Sequence, residues 1–180
     1  ENTRFLPFNR GFDDGKGNPP VEGDVRTCYL WHDILPKASV LEIIGRFLHL
    51  QKEEKKIRTE AGFRYVTHEV MIFPRYHQLD AVRQLVAHSK EYGAGKNYLI
   101  QHSAGSGKSN TIAWLAHQLS SLHNADDDKI FHSVIVITDR VVLDRQLQDT
   151  VAQFGQTDGV VQKIDEDTHQ LTRALAGNVP

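Results

Sequence analysis

The sequence predicts an α/β fold built on a parallel sheet, preceded by an irregular and helical N-terminal extension, and three observations predict it. Two apolar runs of strand length, Asn97–Gln101 and Val134–Thr138, alternate with stretches of helical periodicity. The second run reads Val-Ile-Val-Ile-Thr with no polar alternation, the pattern of a strand buried on both faces. A loop of small residues, Ser103–Gly107, joins the first run to the helix after it. Strands that alternate with helices imply right-handed crossovers onto a parallel sheet.

The elements follow in order. Residues 1–24 hold many turn formers, with Gly, Asn, Asp and Pro clustered in GFDDGKGNPPVEGD, and show no period. An apolar patch at Cys28–Leu35 precedes Pro36. Ser39 then stands as an N-cap with Glu42 three residues on, and a helix over Val40–Gln51 follows. The charged cluster Lys52–Arg58 reads as a solvated helix end, with contact to DNA as the other reading, because Glu53 and Glu54 interrupt its cations. Residues Phe63–Ile72 alternate loosely and contain β-formers, which suits a strand or an extended link into Pro74. Helical spacing runs from Tyr76 to Tyr92, with Leu79, Val82, Leu85 and Val86 on one face and Gly93 and Gly95 as the stop. Further helices are expected over Lys108–His123, Val141–Phe154 with Gly155 closing it, and Asp167–Leu175. Val160–Ile164 reads as a third strand.

Composition bounds the class. A chain of 180 residues, 39% hydrophobic and 24% charged, holds one ordinary core with room for a small annex. The single cysteine, Cys28, cannot form an internal disulfide, and no leader pattern opens the sequence, so a cytoplasmic setting is expected. The apolar runs fall far short of the roughly 20 residues a membrane helix needs, and no membrane partner is expected. A net charge of -2 spreads no basic field over the chain, so any nucleic-acid affinity must come from local patches or oriented amides.

The stretch NYLIQHSAGSGKSNTIAWLAHQL carries the chemistry. Strand, small-residue loop and helix in immediate succession form the context that gives a phosphate-binding loop its meaning. Gly105 and Gly107 let backbone amides close around phosphate oxygens, and the helix start at Lys108 adds its positive dipole end there. Lys108 would reach the β and γ phosphates, and Ser109 would offer its hydroxyl to Mg²⁺. His102, Ser103, Ala104, Ser106 and Asn110 complete the expected ATP-binding set, with Lys108 and Ser109 as its catalytic members. The strict pattern has a glycine where this chain has His102, while Gly-Ser-Gly-Lys-Ser is intact.

Upstream, Arg75 and Gln78 stand three apart at a helix start. A glutamine amide can donate to adenine N7 and accept from its N6 amino group at once, and Arg75 or Tyr76 could stack on the base. Taken alone, Gln78 is an ordinary polar surface residue; a phosphate loop downstream favours the adenine role.

Taken together, the segments RFLPFNRG with GNPP, Tyr29–Trp31, PRYHQLDAV, QHSAGSGKS and VIVITDRVVLDRQL resemble, in order, the motor subunit of type I restriction enzymes, within the superfamily 2 helicase-like translocases. The resemblance covers most of the chain. It implies a RecA-like P-loop NTPase fold in a large polypeptide with a nuclease domain, two motor domains and a helical region that docks on a methyltransferase. On this reading residues 1–72 are the junction between nuclease and motor, and 73–180 are the first part of motor domain one. It also implies ATP and Mg²⁺ as cofactors, and as partners duplex DNA and the methyltransferase and specificity subunits of a restriction complex. Gln78 carries over as adenine reader, and Gly105, Gly107, Lys108 and Ser109 as phosphate and Mg²⁺ binders. Thr138, Asp139 and Arg140, with Leu143, Asp144 and Gln146, resemble the motif that lies near the DNA backbone. Their plainer reading is a helix start capped by Asp139 with Arg140 solvated.

The ten histidines show no zinc-site spacing. No acidic motif after a further strand, no second motor half with its arginine and no paired-carboxylate nuclease centre is evident in these residues. Weak nucleotide binding and poor hydrolysis are therefore expected of the chain by itself. The rival readings are a P-loop module that regulates or assembles without moving DNA, and a P-loop kinase or transferase. An adenine-reading glutamine before the loop argues against the latter.

Overall fold

The computed structural model describes residues 8–59, 62–139, 141–154, 161–164 and 168–176, with backbone alone at 53, 59 and 141–146. The chain divides into two compact units, Glu1–Asp80 and Ala81–Pro180, and the division falls inside one helix.

In the first unit, a π-helical turn at Leu30–Ile34 leads to helix α1, Lys37–Glu42, and a second π-helical turn at Ile43–Phe47. Pro36 caps α1, so Ser39 lies inside the helix and not at its start. The expected helix over Val40–Gln51 therefore ends early. At Leu48 the backbone turns extended, and a long strand begins. Strand β1, His49–Thr59, pairs antiparallel with β2, Gly62–Ile72, in one continuous register from His49 opposite Ile72 to Thr59 opposite Gly62. Lys52–Arg58 is thus strand, not a helix end. Glu and Lys favour helices only by a few tenths of a kcal/mol each. Eleven β2 residues rich in Val, Tyr, Phe and Thr outweigh that preference by offering a complete ladder.

The unit's interior holds Tyr29, Ile34, Ile43, Phe47 and Leu79, all buried. Around Tyr29 the rings close into a cluster. Tyr76 packs edge-on to Tyr29 at 5.3 Å and to Phe8 at 5.6 Å, and Phe8 meets Phe73 at 6.0 Å. The Arg10 guanidinium lies over the Tyr29 and Tyr76 rings at 5.7 and 5.8 Å. The Tyr29 hydroxyl donates to the Phe8 carbonyl, and the Arg10 amide donates to Asn18 Oδ1 at 2.9 Å. The segment from Phe8 to Asn18, turn-rich in sequence, is tied down by these contacts.

Helix α2, Tyr76–Tyr92, has the bounds its spacing predicts. In the second unit it buries Val82 and Leu85. Helix α3, Lys108–Ser120, packs on α4, Val141–Phe154, through Trp114 and His117 against Phe154, at 5.5 Å edge-on and 6.2 Å stacked. His117 Nε2 also lies 2.8 Å from the Val151 carbonyl oxygen. Helix α5 covers Thr168–Ala176; Gly155, expected to close α4, lies outside the described residues.

The two expected central strands belong to no sheet among the described residues. Asn97–Gln101 and Val134–Thr138 lie in no ladder, and neither does 161–164; the only sheet among the described residues is the antiparallel β1–β2 pair. A strand exists by its neighbours' ladder, and no ladder among the described residues includes these runs. Their side chains stay in solvent instead, with Leu99 91% and Ile137 86% exposed. Val134 and Val136 line a cavity of about 230 Å³, together with Leu147, Val151, Ile164 and Leu175. The architecture is therefore mixed helix and strand, without the expected parallel sheet among its described elements. No helix of the described residues is long and apolar enough to cross a membrane.

Candidate phosphate-binding site

The loop from His102 to Ser109 enters α3 through left-handed backbone. Gly105 has φ +72° and Gly107 has φ +83°, where an L side chain costs roughly 1–2 kcal/mol. At Gly105 an added Cβ would meet nothing within 4 Å, so the backbone angle, not crowding, requires glycine there. The Ser106 amide donates to the Ser103 carbonyl at 3.3 Å, which closes the loop as a turn.

Gly107 is the N-cap of α3 and makes no side-chain cap. Asn110 and Thr111 amides both donate to its carbonyl, at 3.1 and 3.2 Å, and the Thr111 hydroxyl donates to it at 3.4 Å. The amides of Lys108 and Ser109 have no acceptor within the helix, by the geometry of any α-helix start. No acidic residue stands in the first turn to offset the positive dipole end.

Lys108 turns inward. Its Nζ donates to the Ser103 carbonyl at 2.7 Å and to the His102 carbonyl at 3.2 Å, so the ammonium spans its own loop. Residues 101–110 contain no carboxylate. Glycine-shaped backbone, a cation, first-turn amides and the hydroxyls of Ser103, Ser106 and Ser109 together make a donor set for an anion. Gly105, Gly107, Lys108 and Ser109 are exposed, Ser106 is buried, and His102 and Asn110 are half-buried. Ala104 sits at the exposed turn.

Arg75 and Gln78 belong to the first unit, the loop to the second. Gln78 is 3% exposed, and its Oε1 accepts from the Arg75 amide at 2.8 Å. The Gln78 and Leu79 amides in turn donate to the Arg75 carbonyl, each at 3.0 Å. Gln78 thus caps α2, the reciprocal arrangement that the spacing of Ser39 and Glu42 suggests for α1. One lone pair of its amide oxygen is already used. Tyr76 is held by Phe8, Tyr29 and Arg10, so of the two stacking candidates Arg75, which is exposed, is the one at the surface. Burial raises the hydroxyl pKa of Tyr29 and of Tyr76, with Asp80 adding to the rise at Tyr76; Arg10 opposes it in both.

Thr138 is half-buried and Asp139 exposed, at the turn before α4. Arg140 lies outside the described residues, as do the side chains of Leu143, Asp144 and Gln146. The cavity lined by Val134 and Val136 includes no residue of the phosphate loop.

The family model described as SWI2/SNF2 ATPase matches residues 77–179. No curated protein and no solved structure matches the chain.

Proposed function

Because the chain belongs to the SWI2/SNF2 ATPase family, a set of helicase-like ATPases, we propose that it is the nucleotide-binding part of a motor that pulls duplex DNA, in the manner of a type I restriction enzyme's motor subunit. In this reading residues 1–72 join a nuclease to the motor, and 73–180 begin the first RecA-like motor domain, whose parallel sheet takes in the runs at Asn97–Gln101 and Val134–Thr138. The motor works in the cytoplasm with the methyltransferase and specificity subunits of a restriction complex, and cleavage follows translocation.

The observation that carries the proposal is the position of Lys108. An ammonium 2.7 and 3.2 Å from two loop carbonyls sits where α3 aims its first-turn amides. A nucleotide's phosphates replace those carbonyls as acceptors, and a charge-assisted contact is stronger than the neutral one it displaces. The amides of Lys108 and Ser109 hold phosphate oxygens along the α3 axis. Mg²⁺, when bound, neutralises charge between the β and γ phosphates, and the Ser109 hydroxyl is the side chain that would hold it. Gln78 and Arg75 take the adenine side, Gln78 with its amide and Arg75 by stacking. Thr138, Asp139 and Arg140 take the DNA backbone.

Titration with a fluorescent ATP analogue and Mg²⁺ tests the site. Lys108→Ala is expected to weaken binding by about tenfold or more, the loss of one charge-assisted contact. Preference for adenine over guanine nucleotides should fall with Gln78→Ala. Binding indifferent to Lys108→Ala overturns the site. Intact nucleotide binding in a parent protein whose ATP turnover ignores DNA favours the regulatory module over the motor.

A further inference from the structure

The β1–β2 hairpin separates its charges along its length, which the linear order of the sequence conceals. Near its base, Lys52 stands opposite Glu69, and Glu54 opposite Thr67. Toward its tip, Lys56 stands opposite Tyr65, Arg58 opposite Phe63, and Arg64 opposite Ile57. Residues 55–67 hold the cations Lys55, Lys56, Arg58 and Arg64 and one carboxylate, Glu60, in a chain whose net charge is -2. Strand alternation puts Lys56, Arg58, Phe63 and Tyr65 on one face.

That face is open. Phe63 is 65% and Tyr65 64% exposed, and both are large rings side by side on one strand. Lys56 Nζ lies 4.2 Å from the Phe63 ring centre and 6.0 Å from that of Tyr65. Arg58, Arg64 and the rest of the tip's described side chains are exposed, apart from half-buried Val66. With eleven residues per strand, the hairpin reaches roughly 35 Å. Neighbouring exposed rings set among cations suit a ligand that offers both flat π-faces and regularly spaced negative charge. A single nucleic-acid strand offers both; a duplex hides its base faces, and an acidic protein surface lacks them.

We propose that the hairpin tip binds unpaired nucleic acid, with bases stacking on Phe63 and Tyr65 and with Lys56 and Arg58, on the same face, on the phosphates. This contact needs no ATP and uses none of the residues assigned to the ATP site.

Fluorescence anisotropy with labelled oligo-dT and with a duplex of equal length tests it. The chain should bind oligo-dT more tightly than duplex. Phe63→Ala with Tyr65→Ala should weaken oligo-dT binding by about tenfold and leave duplex binding unchanged. Lys56→Glu with Arg58→Glu should weaken binding at least as much and flatten the salt dependence by about 0.7 per lost phosphate contact. Tyr65→Phe, which keeps the ring, should bind as the parent does. Lys108→Ala should leave oligo-dT affinity unchanged while nucleotide binding is lost, so the two readings fail separately. Circular dichroism checks that each variant keeps its fold. The proposal is overturned if charge reversal has no effect, if the paired alanine substitutions cost nothing, or if duplex and heparin compete as well as oligo-dT does.

Discussion

The aromatic cluster of the first unit and the phosphate loop of the second use polar groups in opposite ways. In the cluster, polar groups near the rings are spent internally: the Tyr29 hydroxyl on Phe8, the Arg10 amide on Asn18, the Arg10 guanidinium on two ring faces. In the loop, Lys108 holds two neutral carbonyls and α3 starts without a side-chain cap or an acidic first turn. The first arrangement is built to persist; the second is built to exchange partners. The difference shows that stability and binding draw on the same hydrogen-bonding groups and are told apart by whether a better acceptor can still arrive.

Substitutions can break this contrast in order of size. Tyr29→Ala removes a ring that is 2% exposed, and should destabilise the first unit by about 3 kcal/mol, read by denaturant unfolding. An effect under about 1 kcal/mol would mean that the cluster closes around the loss. Gly107→Ala places a side chain at φ +83° and should cost about 1–2 kcal/mol while also weakening nucleotide binding. A loss of binding with no change in stability would place the glycine's value in the ligand contact alone. Gln78→Ala leaves the Arg75 amide without its side-chain acceptor and should cost about 1 kcal/mol, so its effect on adenine preference must be read alongside its melting temperature.

Alkaline titration acts on the cluster. The hydroxyl pKa values of Tyr29 and Tyr76 are raised above the ordinary 10.0. A raised folded pKa gives stability that is fully present below the unfolded value and is lost as pH rises through the folded one. The unfolding midpoint should therefore fall only above pH 10.0, and Tyr29→Phe should blunt the fall. The smallest effect is expected at the residue proposed to grip phosphate. Lys108→Ala, at an exposed side chain, should leave the melting temperature unchanged even as nucleotide binding weakens by about tenfold or more.

The same contrast bears on what the sequence could tell. Helices α2 and α4 appear at their predicted bounds because their signals are local: apolar spacing, and glycines after Tyr92. The signals in the loop are local too, since Gly105 and Gly107 act through their own backbone angles and Lys108 through carbonyls five and six residues away. Misreadings came where the deciding partner is distant in sequence. Leu50 belongs to a strand because Met71 lies opposite it, not because of anything within a helical turn of it. Ile135 and Ile137 have strand character but lie in no ladder among the described residues, where a distant partner would have to supply one. Gln78 was seen as a ligand reader, and its second task as the cap of α2 depended on a rotamer that no spacing rule supplies.

The inward turn of Lys108 has a kinetic side. Because its ammonium already grips Ser103 and His102, the loop carries its own stand-in for a phosphate. On the function proposed above, arrival of a nucleotide is a substitution at a formed cradle, not the folding of a slack one, and departure returns the lysine to the same two carbonyls. Such a loop can turn over many times without having to relearn its shape.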